Sequence, residues 1–354
     1  MPVDKPQKSR LQQTLRTLVQ SPEAFTIEQA YAALHDILNG QATSGQIASF
    51  LTSLRVHKLD HRADIIATCA RVLLEQSTPV PLADHGLSSY DVVDIVGTGG
   101  DGHDTFNVST SAGIIVAATG VKVAKHGNRA SSSSSGSADM LEALGCSMSA
   151  HTPSDSVRLL ATTNYAFLFA QRYHPSMAHV AAVRKELGFP TLFNLVGPLV
   201  NPVQPKRAVV GVAAAHLGPV MLDALRRGGV ERAMVVCGEE GLDEISPAGN
   251  TNVWQLLNGE VTEFTVHPRD FGLEVHALDD VRGGNARHNA MILEEILNGE
   301  RKDAILDYIL LNASALLVVA GLAADWKEGV ALARATIDTG RARQTLAQFI
   351  TGTC

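Results

Sequence analysis

Residues 91 to 139, DVVDIVGTGGDGHDTFNVSTSAGIIVAATGVKVAKHGNRASSSSSGSAD, carry two polar loops rich in Gly and Ser, each following a short β-branched apolar run. Val92 to Val96 reads as a buried strand. After it, Gly97, Thr98, Gly99, Gly100 and Asp101 let the backbone turn sharply and present N–H groups to an anion, for which phosphate is the natural guest. Ser109 to Gly120 is small and apolar enough for a helix packed closely on a sheet. Val121 to Ala124 reads as the next strand, with Lys125, His126, Asn128 and Arg129 at its end. Lys125 would supply a point charge for phosphate, and Arg129 a planar fork for phosphate or carboxylate. Loops at the ends of neighbouring strands form one crevice. Farther on, Asp243 and Glu244 are adjacent acids in a loop. Magnesium prefers such a setting, bound through one or two carboxylates together with substrate phosphate oxygens.

Familiar phosphate motifs do not account for this pattern. Gly97-x-Gly99-x-x-Gly102 matches the dinucleotide fingerprint literally, but that fingerprint needs an acid about 20 positions on to hold ribose hydroxyls, and basic residues stand there instead. No Gly-Lys-Ser/Thr follows the glycines, which excludes a Walker loop. The common phosphoribosyltransferase signature, a strand ending in two acids and a Thr-Thr-Gly loop, is also missing. There is no Gly-x-Ser-x-Gly elbow, and His103 beside Asp104 belongs to the loop's own hydrogen bonding.

The elements that must position these residues follow from periodicity. Leu11, Leu15, Leu18 and Val19 recur at helical spacing. Thr26 with Gln29, and Thr43 with Gln46, form capping-box starts for two more helices, and a fourth covers roughly Arg62 to Gln76. From residue 91 strands and helices alternate, with strands expected at Val92–Val96, Val121–Ala124, Tyr165–Ala170, Ala208–Val212 and Arg232–Cys237. A polar helix, Ser176 to Gly188, interrupts that rhythm, and Ala304 to Ala324 and Trp326 to Gly340 read as helices covering the sheet. The fold class is therefore α/β, a small all-helical N-terminal domain (1–80) on a larger α/β domain (81–354) with a central sheet.

The chain of 354 residues is 45% hydrophobic, enough for a large core, and its net charge of −7 argues against broad nucleic-acid binding. Cys69, Cys146, Cys237 and Cys354 show no metal-type spacing, so ordinary thiols in a reducing compartment are expected. The first ten residues have no signal-peptide core, and Ile309 to Ala324 is too interrupted and short for a membrane span. The expectation is a cytoplasmic protein with no membrane and no nucleic-acid partner.

GTGGD at 97–101, NVST at 107–110, KHGNR at 125–129 and GSADxLEALG at 136–145 resemble, in order, the anthranilate phosphoribosyltransferases. The resemblance continues through HPSMAHVAAVRKELGFPTLFNLVGPLVNP at 174–202 and GLDEIS at 241–246 to Asn312 and Ala313. It implies a nucleoside phosphorylase/phosphoribosyltransferase-like fold in which 174–190 returns to the helical domain, a homodimer, and transfer of phosphoribose from phosphoribosyl pyrophosphate to anthranilate in tryptophan biosynthesis. For the donor it implies Gly97, Thr98, Gly99, Gly100, Asp101, Thr105, Asn107, Ser109, Thr110, Lys125 and Ser132. Magnesium (Mg2+) would be held by Ser109, Asp243 and Glu244. For anthranilate it implies Gly97, His126, Asn128, His174 and Arg184, the last meeting the carboxylate, with Tyr173 and Pro175 bordering the same channel.

Each residue also has an ordinary role open to it. The glycines could serve a tight turn, Asn128 a structural turn, the two acids a solvated surface, and Arg184 an ion pair with Glu186 or Asp155. Two other functions compete: a pyrimidine nucleoside phosphorylase, whose acceptor is inorganic phosphate, and an inactive relative that binds nucleic acid. The acidic balance disfavours the second. An arginine placed for an aromatic carboxylate would disfavour the first.

Overall fold

The computed structural model describes residues 10–130, 134–148 and 151–353. Four helices open the chain, α1 (Arg10–Gln20), α2 (Ile27–Leu38), α3 (Ser44–Val56) and α4 (Ala63–Glu75). Both expected capping boxes form: Thr26 and Gln29, and Thr43 and Gln46, exchange side-chain and backbone hydrogen bonds reciprocally.

The α/β part then runs β1 (Val92–Gly97), α5 (Val108–Ala117), β2 (Lys122–Gly127), α6 (Ser137–Ala143), α7 (Pro153–Thr163) and β3 (Tyr165–Phe169). Next come α8 (Ala170–Tyr173), α9 (Ala178–Leu187), α10 (Leu192–Leu195), β4 (Arg207–Gly211), α11 (Gly218–Arg227) and β5 (Arg232–Gly238). The chain closes with β6 (Thr251–Leu257), β7 (Glu260–Val266), α12 (Ala286–Leu297), α13 (Ala304–Ala320), α14 (Trp326–Asp338) and α15 (Arg341–Thr353).

One seven-stranded sheet has the order β3-β2-β1-β4-β5-β6-β7. The first five in that order are parallel; β6 and β7 add antiparallel strands at one edge. That edge hairpin was not among the expected strands. Its signal was Asn258-Gly259, both at positive φ (54° and 82°), as a two-residue turn requires. The helix expected to reach Ala324 stops at Ala320, because Gly321 caps it in the left-handed region.

Side chains alternate across the sheet as strand geometry demands. Val209, Met234 and Val236 enter a core with α5, α12, α13 and α15. Val210, Val235 and Cys237 enter another, which continues through α11 into the four N-terminal helices and takes in Val180 and Val183 of α9. Helix α9 packs on α2 and α3, and its end is set by Gly188 at φ 66°. Among the described residues, no helix is long and apolar enough to cross a membrane.

The helical unit and one face of the sheet thus share one apolar core, and a lesion in one should be felt in the other. Phe50, wholly buried in α3, offers the test. Phe50→Ala is expected to cost about 3–5 kcal/mol and to lower together the urea midpoints seen by helical circular dichroism and by fluorescence of Trp254 and Trp326, both in the α/β part. A variant whose tryptophan transition stays put would contradict the shared core.

Candidate active site

The order 3-2-1-4-5 places the reversal of strand order beside β1, where open α/β sheets keep their ligand crevice. β1 and β4 end side by side, Gly97 in register with Gly211. A Cβ on Gly97 would collide with the Asp243 carboxylate, and one on Gly211 with the Asp243 backbone carbonyl. Only glycines at these two strand ends let the loop bearing Asp243 and Glu244 lie across them. In the β1 loop the demand is different: Gly99, Gly100 and Gly102 have open space around them but φ of 71°, 81° and 77°.

Of the loop amides expected to face an anion, two are engaged within the protein. The Thr98 N–H donates to the Gly211 carbonyl at 3.0 Å. The Gly99 N–H donates to Asp243 Oδ2 at 2.6 Å, which ties the glycine loop to the acidic loop. His103 adds a second tie, its N–H bonding Asp101 and its ring nitrogen meeting the Glu240 carbonyl at 3.2 Å.

The acids converge. Asp101 stands beside Asp243, and Ser109 beside Glu244. Burial, then the neighbouring Asp101 charge, pushes the Asp243 carboxyl up to about 7. Burial and Asp243 hold Glu244 well above the carboxylate range. The nearby cation is Lys125, 1% exposed, whose Nζ donates to the Ile95 carbonyl at 2.6 Å. Burial lowers its pKa against the pull of Asp94, Glu244 and Asp243. One ammonium among so many carboxyls leaves a site short of positive charge. Lys125 was expected beyond the end of its strand; β2 instead runs on to Gly127, so Lys125 and His126 are buried strand residues.

Asn107 and Thr110, assigned to the phosphoribosyl group, have their side chains engaged in holding the second loop. Asn107 Nδ2 donates to the Ser135 carbonyl (2.8 Å), and its Oδ1 accepts from Asn289 (2.8 Å). Thr110, wholly buried, donates to Ser137 Oγ (2.7 Å). Asp104 accepts from the Ser134 amide and hydroxyl, fastening that loop to the first. Ser132 lies outside the described residues. Thr105 forms an isolated bridge with Arg282 beneath the first loop. Arg129 is held by its own protein, bidentate to Glu142 and bonded to Asp139, so its fork is not offered to a ligand. Asn128 accepts from the Arg129 amide and from Gln171, at the crevice surface.

Toward the helical unit, the ring of His126 stands 5.3 Å from that of His174, edge to face. His126 Nδ1 meets the Gly197 carbonyl (3.1 Å), and His174 Nε2 the Val200 carbonyl (2.7 Å). Tyr173 is turned into the core, its hydroxyl bonded to Ser156 at 2.6 Å, which removes it from the channel. Arg184 is half-buried at the end of α9, its guanidinium over the Phe193 ring at 5.7 Å and 3.4 Å from Asn194 Oδ1. No described carboxylate pairs with it: Asp155 is engaged by Thr152 and Arg158. Burial lowers its pKa, as for a cation whose partner has yet to arrive.

Sequence reasoning missed Asp94 and Asn201. Asp94, 1% exposed in mid-strand, accepts from the His126 amide (3.3 Å) and from Asn201 Nδ2 (2.8 Å), which also bonds the Ala124 carbonyl. Burial raises its carboxyl to about 6. The available signal was an acid inside a β-branched run, DVVDIV.

Burial drives His126 down to about 3, so the folded protein holds this ring neutral. A pKa depressed on folding contributes stability that is present above the unfolded value, near 6.5, and is lost as pH falls toward 3. Urea midpoints of the wild type should therefore decline below pH 6.5, and His126→Asn should flatten that decline. An unchanged slope would mean the ring is not held neutral.

The description "Glycosyl transferase family, helical bundle domain" matches residues 12–77, and "Glycosyl transferase family, a/b domain" matches 89–343. The chain is 45% identical over 330 residues to an anthranilate phosphoribosyltransferase of Schizosaccharomyces pombe, covering 93% of each. It is 44% identical to one from Geobacillus kaustophilus, covering 89% of this chain and 90% of the relative. A Saccharomyces cerevisiae anthranilate phosphoribosyltransferase, solved in complex with PRPP and Mg, superposes with a TM-score of 0.91 at 37% identity over 98% of both chains. The same yeast protein in complex with 4-fluoroanthranilate gives 0.89 at 36% identity, again over 98% of both. With both halves matched and relatives of full length above 40% identity, the chain belongs to the anthranilate phosphoribosyltransferase family.

Proposed function

We propose that the crevice at the ends of β1 and β2 binds phosphoribosyl pyrophosphate, and that the chain transfers its 5-phosphoribosyl group to the amine of anthranilate, releasing pyrophosphate. The observation that carries this reading is the buried acid pair Asp243 and Glu244, short of counter-charge, with Ser109 beside Glu244 and the glycine loop bonded to Asp243. An all-oxygen set of this kind suits a hard cation. Among the described residues no three His, Cys, Asp or Glu side chains form a metal cage; magnesium needs none, taking one or two carboxylates plus substrate phosphates. Ser109, Asp243 and Glu244 would hold it, and bound there it would screen the donor's negative charge and make pyrophosphate a better leaving group.

The protein's own groups do the rest. Amides from Gly100 onward and the hydroxyl of Ser109 border the pyrophosphate. Asn107, Thr110 and Asp104 keep the second loop folded over the ribose. Arg184 receives the anthranilate carboxylate as a charge-assisted pair, with Asn194 and Phe193 fixing the guanidinium. His126 and His174, whose pKa values burial lowers, line the passage between the two sites. The C1–O bond to pyrophosphate breaks as the amine nitrogen bonds C1, and the amine then loses a proton. An aromatic amine is unprotonated near neutral pH, so alignment and leaving-group stabilisation carry the rate.

We read the working protein as a cytoplasmic homodimer. Val19 and Val56 on the helical unit, 72% and 68% exposed, are apolar side chains a subunit contact could cover, and Cys69, Cys146 and Cys237 are buried thiols suited to a reducing compartment. Light scattering on the eluted protein checks the dimer; a monomer at micromolar concentration would contradict it.

Loss of anthranilate fluorescence on adding phosphoribosyl pyrophosphate and magnesium tests the reaction. Arg184→Ala should raise the KM for anthranilate by roughly 10- to 150-fold, the worth of a hydrogen bond to a charged group, with a much smaller change in the KM for the donor. A folded wild type that leaves anthranilate untouched but phosphorolyses uridine or thymidine would overturn the acceptor assignment.

A further inference from the structure

The acidic loop is braced from several sides. The Gly238 N–H donates to the Leu242 carbonyl (2.9 Å), and the Ser246 N–H to Thr251 Oγ1 (2.9 Å), both from chain close by in sequence. The third brace comes from 67 residues away. Asn312, wholly buried in α13, accepts from the Ile245 N–H (3.0 Å) through Oδ1 and donates to the Ile245 carbonyl (3.2 Å) through Nδ2. Its Nδ2 also donates to the Tyr308 carbonyl of its own helix at 3.0 Å. One side-chain amide thus grips both backbone polar groups of Ile245, the residue next to Glu244.

Packing alone gives no reason for an amide at this place. Its neighbours on α13, Leu311, Ala313 and Leu316, are wholly buried and apolar, and a leucine would fill the helix without bringing a polar group into the core. The double hydrogen bond accounts for the asparagine. Burial makes it costly for two neighbouring acids to ionise, and a loop free to turn would carry them outward to water. The grip at Ile245 opposes that turn.

We propose that Asn312 is a positioning residue for the cation and pyrophosphate end of the site, holding Asp243 and Glu244 in place before any ligand arrives; this rests on the magnesium reading above. The test is calorimetric titration of phosphoribosyl pyrophosphate at stepped magnesium concentrations, without anthranilate, for wild type, Asn312→Ala and Asn312→Ser. Wild type should need magnesium for tight binding. Each variant should require about tenfold more magnesium for half-saturation, equal to about 1.4 kcal/mol, while its KM for anthranilate at saturating magnesium stays within about twofold of wild type.

Folded variants with a wild-type magnesium dependence would overturn the proposal, as would equal weakening toward both substrates. Failure of the magnesium reading itself would show in the wild type, as binding indifferent to a chelator. Hydrogen exchange at the Ile245 amide of wild type decides the matter even if both variants fail to fold. Protection already present without ligand is expected; protection that appears only on adding magnesium and donor would refute a preformed grip.

Discussion

Two adjacent carboxyls buried at the reversal point of a parallel sheet impose the constraint on which the rest of the structure depends. Burial and mutual repulsion both disfavour ionised acids at 243 and 244. Their loop stays there because the surrounding elements leave it one place to go. Gly97 and Gly211 clear the strand ends, Gly99 donates to Asp243, and α13 reaches in from the far layer with Asn312. The same arrangement that is costly for the empty protein is what a cation-borne diphosphate would relieve. Stability given up at a site is returned when the ligand binds, a common pattern where function requires groups that would rather be solvated.

The acceptor end follows a parallel logic with opposite charge. Arg184 is half-buried with no carboxylate partner among the described residues, held by Asn194 and Phe193 on α10. Its helix packs on the N-terminal helices while the glycine loop belongs to the sheet. The two reacting partners would therefore be held by different layers, and the shared apolar core between them fixes their separation. The paired rings of His126 and His174 stand 5.3 Å apart, and burial lowers the pKa of both.

Much of this architecture was legible in the residues, and the failures have physical causes. The five parallel strands announced themselves as short apolar runs, and both N-terminal capping boxes by Thr and Gln three apart. The β6–β7 hairpin was missed although Asn258-Gly259 marked it, because two strands joined directly by a turn fall outside the alternation of strand and helix. Helix α7 also carried a readable start, Thr152 with Asp155 and Pro153 at its first position. Which loops carry the site was clear from the glycines and basic residues; which side chains face the crevice was not. Lys125, Asn107 and Thr110 sit in the right motifs, yet each is directed into the protein by a partner far along the chain or by the extra length of β2. Asp94, Asn201 and Arg184 depend on contacts that spacing does not encode; only family resemblance pointed to the arginine.

If Asp243 and Glu244, whose pKa values burial raises, hold a magnesium–diphosphate ligand as ionised groups, its binding must drive protons off them. The most direct measurement is the binding enthalpy of magnesium with phosphoribosyl pyrophosphate near pH 6.5, taken in buffers of different ionisation enthalpy. Net proton release from the protein is expected, after correction for the ligand's own protons, with loss of that release in Asp243→Asn. Binding without proton exchange, or with the same release in the variant, would contradict it.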